Sequence, residues 1–161
     1  VDAVQGTATR ILDTRKTLPG WRGLAKYAVA CGGGVNHRMD LASAILIKDN
    51  HLSACDGNVA LAIERCRAIA PAGTPVQVEC DTVAQVEAAL HAGAEMLLLD
   101  NLTTDALRAA VSLARGRAIT EASGGVTLHT VRAIAECGVD RISIGALTHS
   151  APALDLALDF D

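Results

Sequence analysis

Aromatic residues are nearly absent from this sequence, which has one Phe, one Trp and one Tyr among 161 residues. Half of the residues are apolar, so the core of one domain has to come from Ala, Val, Leu and Ile. No apolar run approaches the roughly 20 residues that a membrane-spanning helix needs. No basic segment followed by an apolar stretch opens the chain, which predicts that no signal peptide is present. We therefore expect a single globular domain that has no membrane partner.

Paired cysteines are also lacking. The count of five is odd, and no two cysteines are spaced as C-x-x-C, which argues against a disulfide framework and against a structural zinc site. Free, buried thiols in a reducing cytoplasm are the expected state. The cysteines are Cys31, Cys55, Cys66, Cys80 and Cys137.

Net charge is low, −4, but it is unevenly distributed along the chain. Residues 1–51 hold seven Lys or Arg against four Asp or Glu, whereas residues 52–161 hold seven against fourteen. The basic residues form no run and have no aromatic side chains between them for base stacking, which argues against a nucleic-acid partner. A small anionic substrate fits this distribution better.

Short apolar runs alternate with stretches whose apolar residues recur at intervals of three and four. The runs predict strands at residues 11–15, 44–48, 76–80, 96–100, 118–121 and 141–144. The stretches predict helices at about residues 18–29, 58–70, 82–91, 104–114 and 127–136. Asp81, Thr103 and Thr127 are expected to cap the last three helices or to lie in their first turns. In the first helix, the apolar face is predicted to consist of Leu18, Trp21, Leu24, Ala25 and Ala28.

Strand–helix alternation predicts a parallel α/β sheet, either closed as a (β/α) barrel or open and doubly wound. Strand residues alternate between faces, and five strands in succession carry a charged residue at or next to their carboxyl end, all on the same face. In a barrel, all five side chains project into the mouth at the carboxyl ends of the strands, where barrel enzymes carry out their chemistry. The shared face of these charged residues therefore favours a closed barrel over an open doubly wound sheet. The five residues are Arg15, Lys48, Glu79, Asp100 and Glu121.

A cluster of cations is the first predicted constellation. If the first two strands are close in space, then five basic side chains converge: Arg15, Lys16, His37, Arg38 and Lys48. Such a cluster repels itself unless an anion is bound, and the guanidinium fork suits carboxylates. The alternative is that Asp13 and Asp49 neutralise one or two of these cations.

Two carboxylates, Glu79 and Asp100, end neighbouring predicted strands and form the second constellation. They could act as acid and base, hold a divalent cation or bind sugar hydroxyls, and their spacing alone does not choose among these roles. Small residues at the last two strand–helix junctions form the third constellation, because they let backbone N–H groups approach a phosphate. These are Ser123, Gly124, Gly125 and Gly145, with His149 just beyond.

Several long motifs together resemble the quinolinate phosphoribosyltransferases, also called carboxylating nicotinate-nucleotide pyrophosphorylases. The resemblance covers nearly the whole chain in order. The first motifs are DTRKT (13–17), LPG (18–20), KYAV (26–29), GGGVNHR (32–38) and IKDNH (47–51). The later ones are LDN (99–101), EASGG (121–125), GVD (138–140) and IGALTHS (144–150).

The resemblance implies an incomplete (β/α) barrel of the type II phosphoribosyltransferase kind and a transferase that uses magnesium. The expected reaction converts quinolinate and phosphoribosyl pyrophosphate into nicotinate mononucleotide, pyrophosphate and carbon dioxide in de novo NAD biosynthesis. Arg15, His37, Arg38 and Lys48 are expected to bind the dicarboxylate. Catalytic roles are expected for Lys16, Glu79 and Asp100. The carboxylates of Glu79 and Asp100 would bind the ribose and would coordinate Mg2+, either directly or through water. Ser123, Gly124, Gly125, Gly145 and His149 are expected to bind phosphate.

In two respects the sequence departs from the family's pattern. Gln77 stands where members of the family often have Glu. In addition, the family's amino-terminal α/β sandwich domain is absent, and with it the arginine that a partner subunit of the dimer supplies. Residues 1–153 are then the barrel, and residues 154–161 are an alternating strand expected to pack on the missing domain. Two other interpretations stay open: a paralogous barrel with another substrate, and an inactive barrel fragment.

Overall fold

A wholly parallel six-stranded sheet forms the centre of the computed structural model, which describes residues 1–160. The strands are β1 (Arg10–Leu12), β2 (Ile45–Ile47), β3 (Val76–Cys80), β4 (Met96–Asp100), β5 (Ile119–Ser123) and β6 (Arg141–Ser143). Their order is β1-β6-β5-β4-β3-β2, so each strand from β3 to β6 pairs with its predecessor and β1 returns beside β6. A doubly wound sheet would reverse direction midway. The predicted (β/α) barrel is therefore confirmed, and it is incomplete because β1 and β2 are its two edges.

Seven helices accompany the strands in the described part of the chain. They are α1 (Arg22–Cys31), α2 (Asp49–Ser53), α3 (Val59–Ile69), α4 (Val83–His91), α5 (Thr104–Ala114), α6 (Val131–Ala135) and α7 (Ala146–His149). The side chains of Asn58, Thr82 and Thr103 accept hydrogen bonds from the backbone at the starts of α3, α4 and α5. No helix among residues 1–160 has the length and apolar character required to cross a membrane.

The core lies between the sheet and the helices outside it. Outward-facing strand residues such as Ile47, Val78, Leu99 and Ile142 are at most 1% exposed. Burying each such side chain contributes about 1.5–3 kcal/mol. The strand face opposite the predicted charged residues thus packs under the helices.

Two strand ends differ from the prediction by two residues or more. β1 ends at Leu12 rather than at residue 15, because the backbone of Asp13 turns to donate to the carbonyl oxygen of Val35 (3.2 Å). β5 continues to Ser123, which lies level with Asp100 in the neighbouring strand. Contrary to the prediction, Glu121 therefore does not end its strand. It lies one layer deeper inside the barrel.

The predicted start of the first helix at residue 18 is wrong, and its predicted apolar face is exposed. Leu18, Trp21 and Leu24 are each about 60% exposed, and the helix begins only at Arg22. The side chain that α1 buries is Lys26, which pairs with Asp13 inside the domain. The amphipathic pattern identified an apolar face correctly, but in this chain the helix turns that face outward.

Residues 151–160 form neither helix nor strand, and their apolar side chains are exposed. The alternating pattern there includes Leu154, Leu156 and Leu158, each about 80% exposed. The strand predicted at 154–161 thus has no partner strand among residues 1–160, and Asp161 lies outside the described residues. Its packing on another domain stays a prediction.

Candidate functional site

A cavity of about 220 Å³ opens at the carboxyl ends of the strands. Eight of the twelve predicted site residues line it: Arg15, Lys16, His37, Arg38, Lys48, Glu79, Asp100 and Ser123. Four further lining residues were not predicted as site residues: Thr14, Leu46, Leu98 and Ser143. Leu46 and Leu98 lie two residues before Lys48 and Asp100, so their strand parity was a signal that could have identified them.

A second depression, of about 540 Å³, lies at the opposite end of the strands. Its charged lining residues, Arg67 and Glu95, form an exposed pair at 3.6 Å, and the rest of the lining is mainly small or apolar. An exposed pair of this kind contributes little binding energy. We therefore assign the chemistry to the smaller cavity, in which charged groups of both signs converge.

Two guanidinium groups meet in this cavity. Arg38 donates to the carbonyl oxygen of Ala44, and its pKa is lowered by burial and by repulsion from Arg15. The Nε atom of Arg15 is buried and has no hydrogen-bond partner among residues 1–160. A buried N–H without an acceptor is costly, so this pair of arginines is built to receive an anion.

Asp13 does not neutralise these cations. Its fully buried carboxylate forms an ion pair with Lys26 and accepts hydrogen bonds from the Asn36 amide (2.6 Å) and the His37 backbone N–H (2.8 Å). Asp49 takes part in none of the ion pairs found among residues 1–160. The alternative raised for the cluster is therefore excluded for Asp13 and finds no support for Asp49.

Both ring nitrogens of His37 have polar neighbours. Its Nδ1 accepts from the backbone N–H of Arg38 (2.7 Å), and its Nε2 lies 3.2 Å from Oε1 of Glu121. The other carboxylate oxygen of Glu121 accepts from Gln77 (3.1 Å). Burial alone would raise the pKa of Glu121, but the polar contact and charge of His37, together with the Gln77 and Ser143 side chains, outweigh it and lower the pKa. A buried carboxylate thus supports the floor of the cavity, a role that the sequence did not reveal.

Carboxylates gather on the wall opposite the arginines. Oxygen atoms of Glu79, Asp81 and Asp100 lie within 4.8 Å of one another, as a divalent cation would require. Lys48 reaches across to Glu79 at 2.6 Å. Asp81 was predicted as a helix cap, but Thr82 caps α4, which leaves the Asp81 carboxylate free to face the other two.

The predicted phosphate-binding residues flank this wall at the ends of β5 and β6. Gly124 has a φ of 92°, and a Cβ atom there would lie 2.1 Å from Oδ1 of Asn101, so only glycine fits. The backbone N–H groups of Gly124 and Gly125 donate to no acceptor within residues 1–160. Gly145 is also closely packed, with His149 Nε2 2.7 Å from the position of a Cβ atom. These glycines and His149 lie beside the cavity rather than in its lining.

The family model for the quinolinate phosphoribosyl transferase C-terminal domain matches residues 1–159. The chain belongs to this family. A nicotinate-nucleotide pyrophosphorylase [carboxylating] of Mycobacterium leprae is 49% identical over 162 residues, which cover 99% of this chain and 56% of the relative. A probable nicotinate-nucleotide pyrophosphorylase [carboxylating] of Bacillus subtilis is 45% identical over 93% of this chain and 52% of its own length.

Among solved structures, a nicotinate-nucleotide pyrophosphorylase from Ehrlichia chaffeensis superposes with a TM-score of 0.87 at 44% identity. The match covers 92% of this chain and 54% of that structure. The chain thus spans about half the length of the relatives it matches. It carries the parallel-stranded domain and the cavity described above.

Proposed function

We propose that this chain is the catalytic barrel of an enzyme that transfers phosphoribosyl from phosphoribosyl pyrophosphate to quinolinate and releases pyrophosphate and carbon dioxide. The observation that carries the proposal is a single cavity lined by Arg15 and Arg38 and by Glu79 and Asp100, beside which Asp81 completes a carboxylate trio. The names of the relatives support the same reaction. The product, nicotinate mononucleotide, would enter NAD synthesis in the cytoplasm.

The dicarboxylate of quinolinate would bind among Arg15, Arg38 and Lys48. The unpaired Nε of Arg15 and the repulsion between the two arginines supply the driving force, because a bound anion relieves both. His37 lines the same wall, but its ring nitrogens face Glu121 and the backbone of Arg38. We therefore assign it to shaping the subsite, with its ring packed against the substrate.

The ribose would lie against Glu79 and Asp100, with Mg2+ nearby. Three carboxylates within 4.8 Å of one another form a donor set suited to this ion, and Asp81 joins the two predicted ligands. When bound, the ion would neutralise pyrophosphate charge. Lys16, at the exposed mouth of the cavity, would face the same pyrophosphate. Ser123 and the free N–H groups of Gly124 and Gly125 would hold the remaining phosphate, beside Gly145 and His149.

The reaction follows from this placement. The ring nitrogen of quinolinate forms a bond to the anomeric carbon as the bond to pyrophosphate breaks. Positive charge develops on the sugar in the transition state, and the carboxylates of Glu79 and Asp100 stabilise it. Carbon dioxide then leaves from the adjacent ring carbon, which keeps the electron pair, is stabilised by the positive ring nitrogen and takes up a proton from solvent to give nicotinate mononucleotide. The protein mainly supplies position and charge.

A homodimer is proposed for the full-length protein. The exposed apolar side of α1, with Leu18, Trp21 and Leu24, and the exposed leucines of residues 151–160 are surfaces that an additional domain would cover. A partner subunit could then supply a further cation to the dicarboxylate. By this reasoning, residues 1–161 alone should show little turnover.

Calorimetric titration of the full-length protein with phthalate, an unreactive dicarboxylate, tests the anion subsite. Arg15→Ala and Lys48→Ala should each weaken binding at least about tenfold, since each removes a charged hydrogen bond. Arg115→Ala is the matched control, because this exposed arginine lies at the other end of the barrel. Unchanged titration curves for both site variants would remove the assignment.

Turnover separates the three interpretations of the chain. Formation of nicotinate mononucleotide from quinolinate and phosphoribosyl pyrophosphate supports the proposal. Phthalate binding without turnover of quinolinate would favour a paralogue with another substrate. Absence of both in the full-length protein would favour an inactive barrel.

A further inference from the structure

Thr148 is a buried residue with exposed neighbours on both sides, in the short helix α7. Its hydroxyl donates to the carbonyl oxygen of Lys16 (2.7 Å), 132 residues away in the sequence. It also lies 3.3 Å from the hydroxyl of Thr14, which in turn accepts from the backbone N–H of Lys16 (3.1 Å). The two threonines therefore bind both sides of the Lys16 residue in a closed ring of hydrogen bonds.

The ring sets the conformation of the segment that bears the cations. β1 ends at Leu12, and residues 14–17 have no helix or strand to hold them. Arg15 lies between Thr14 and Lys16, so the ring also restrains the backbone from which its side chain enters the cavity. Thr14 alone would restrain Lys16 from within the same segment. Thr148 is the member that ties the segment to another element.

This other element, α7, adjoins the residues that are predicted to bind phosphate. Thr148 lies between Gly145 and His149, whose ring packs 2.7 Å from the Cβ position of that glycine. A ligand that immobilises this turn therefore immobilises the hydroxyl bound to Lys16. By thermodynamic linkage, an anion that immobilises Arg15 and Lys16 must favour the same arrangement of the turn.

We propose that Thr148 is a positioning residue that couples the phosphate end of the cavity to the cations of the Thr14–Lys16 segment, so that each ligand strengthens binding of the other. This inference rests on the function proposed above, because it takes the two ends of the cavity as subsites for one reaction. A single hydrogen bond supports a coupling of about fivefold in affinity.

Phthalate titrations of the full-length protein, with and without saturating ribose 5-phosphate, measure the coupling. In the unaltered protein, ribose 5-phosphate should tighten phthalate binding about fivefold. Thr148→Val keeps the shape of the side chain and removes the hydroxyl, so the enhancement by ribose 5-phosphate should disappear, over and above any loss of affinity for phthalate alone. Thr148→Ser keeps the hydroxyl and should restore the enhancement, which a purely space-filling role would not predict.

Thr14→Ala breaks the same ring from the less buried side and should also reduce the enhancement, so the test does not depend on the folding of one variant. Enhancement that persists in Thr148→Val, or that is absent from the unaltered protein, would overturn the coupling while leaving the proposed function intact. Failure of the unaltered protein to bind phthalate at all would overturn both.

Discussion

Replacing Asp13 with Ala should destabilise the domain more than any change on the cavity wall. Asp13 is fully buried and Lys26 is 4% exposed, so the variant leaves an ammonium group in the interior without its counter-charge. Breaking a buried pair in this way costs about 3–5 kcal/mol. The Asn36 amide and the His37 backbone N–H lose their acceptor in the same variant.

Urea unfolding followed by circular dichroism measures the effect. With an m value of about 2 kcal/mol per molar urea, a loss of about 4 kcal/mol lowers the unfolding midpoint by about 2 M. Lys26→Met should cost less than Asp13→Ala, because Asp13 would keep two of its three donors. The double variant Asp13→Asn/Lys26→Met removes both charges and should be more stable than Asp13→Ala alone.

The order of the three variants is the decisive result. A midpoint shift below about 0.5 M for Asp13→Ala would mean that the interior solvates Lys26 without its partner. A double variant less stable than Asp13→Ala would show that the energy comes from packing rather than from charge compensation. Either outcome would refute the reasoning.

Three further predictions concern the cavity in the full-length protein. Glu79→Gln and Asp100→Asn should depress kcat far more than phthalate affinity, because charge stabilisation acts mainly in the transition state; a selective loss of phthalate affinity would reverse the assignment. Gly124→Ala should abolish phosphate-dependent binding, because its Cβ would overlap Asn101 and its φ of 92° disfavours any side chain; unaltered binding of ribose 5-phosphate by calorimetry would contradict this. Glu121, whose pKa is lowered on folding, stabilises the fold above its unfolded pKa of about 4.3, and this contribution is lost as pH falls through the lower folded pKa. Glu121→Gln should therefore flatten the acid limb of stability against pH, and an unchanged slope would count against it.

Regular elements with strong local signals were predicted well. β3 and β4 have the predicted bounds, and α5 covers the predicted residues 104–114. α6 was predicted at 127–136 but is confined to Val131–Ala135, because Thr127 and Thr130 hydrogen-bond to each other in a turn before it. The short helices α2 and α7 were missed, since four or five residues carry no periodicity.

Errors arose where the outcome depended on contacts distant in the sequence. Glu121 resembles a charge at a strand end, and only its pairing with Gln77, 44 residues away, and with His37 allows it to be buried. In α1, the spacing of apolar residues defines which face of the helix is apolar, but it does not show whether that face packs against this domain. The partner of Lys26, Asp13, lies outside the helix and at no recognisable spacing.

The cation cluster was predictable because carboxyl ends of parallel strands meet at one edge whatever the details of packing. Eight of the predicted residues converge for that reason. Asp81 was missed, because a carboxylate before a helix has a common capping explanation, and only the capping by Thr82 shows that Asp81 is free.

The charges around the cavity follow the order of the strands. β3 and β4 bring the carboxylates, β5 and β6 bring the small residues, and the cations come from the two unpaired edges, β1 and β2. The gap between those edges is bridged beside β1 by Val35, which pairs with Leu12. Asp13 holds that bridging segment through the Asn36 amide and the His37 backbone N–H. The ion pair that stabilises the domain is therefore also what keeps His37 and Arg38 on the cavity wall, so weakening it should loosen dicarboxylate binding at urea concentrations well below those that unfold the sheet.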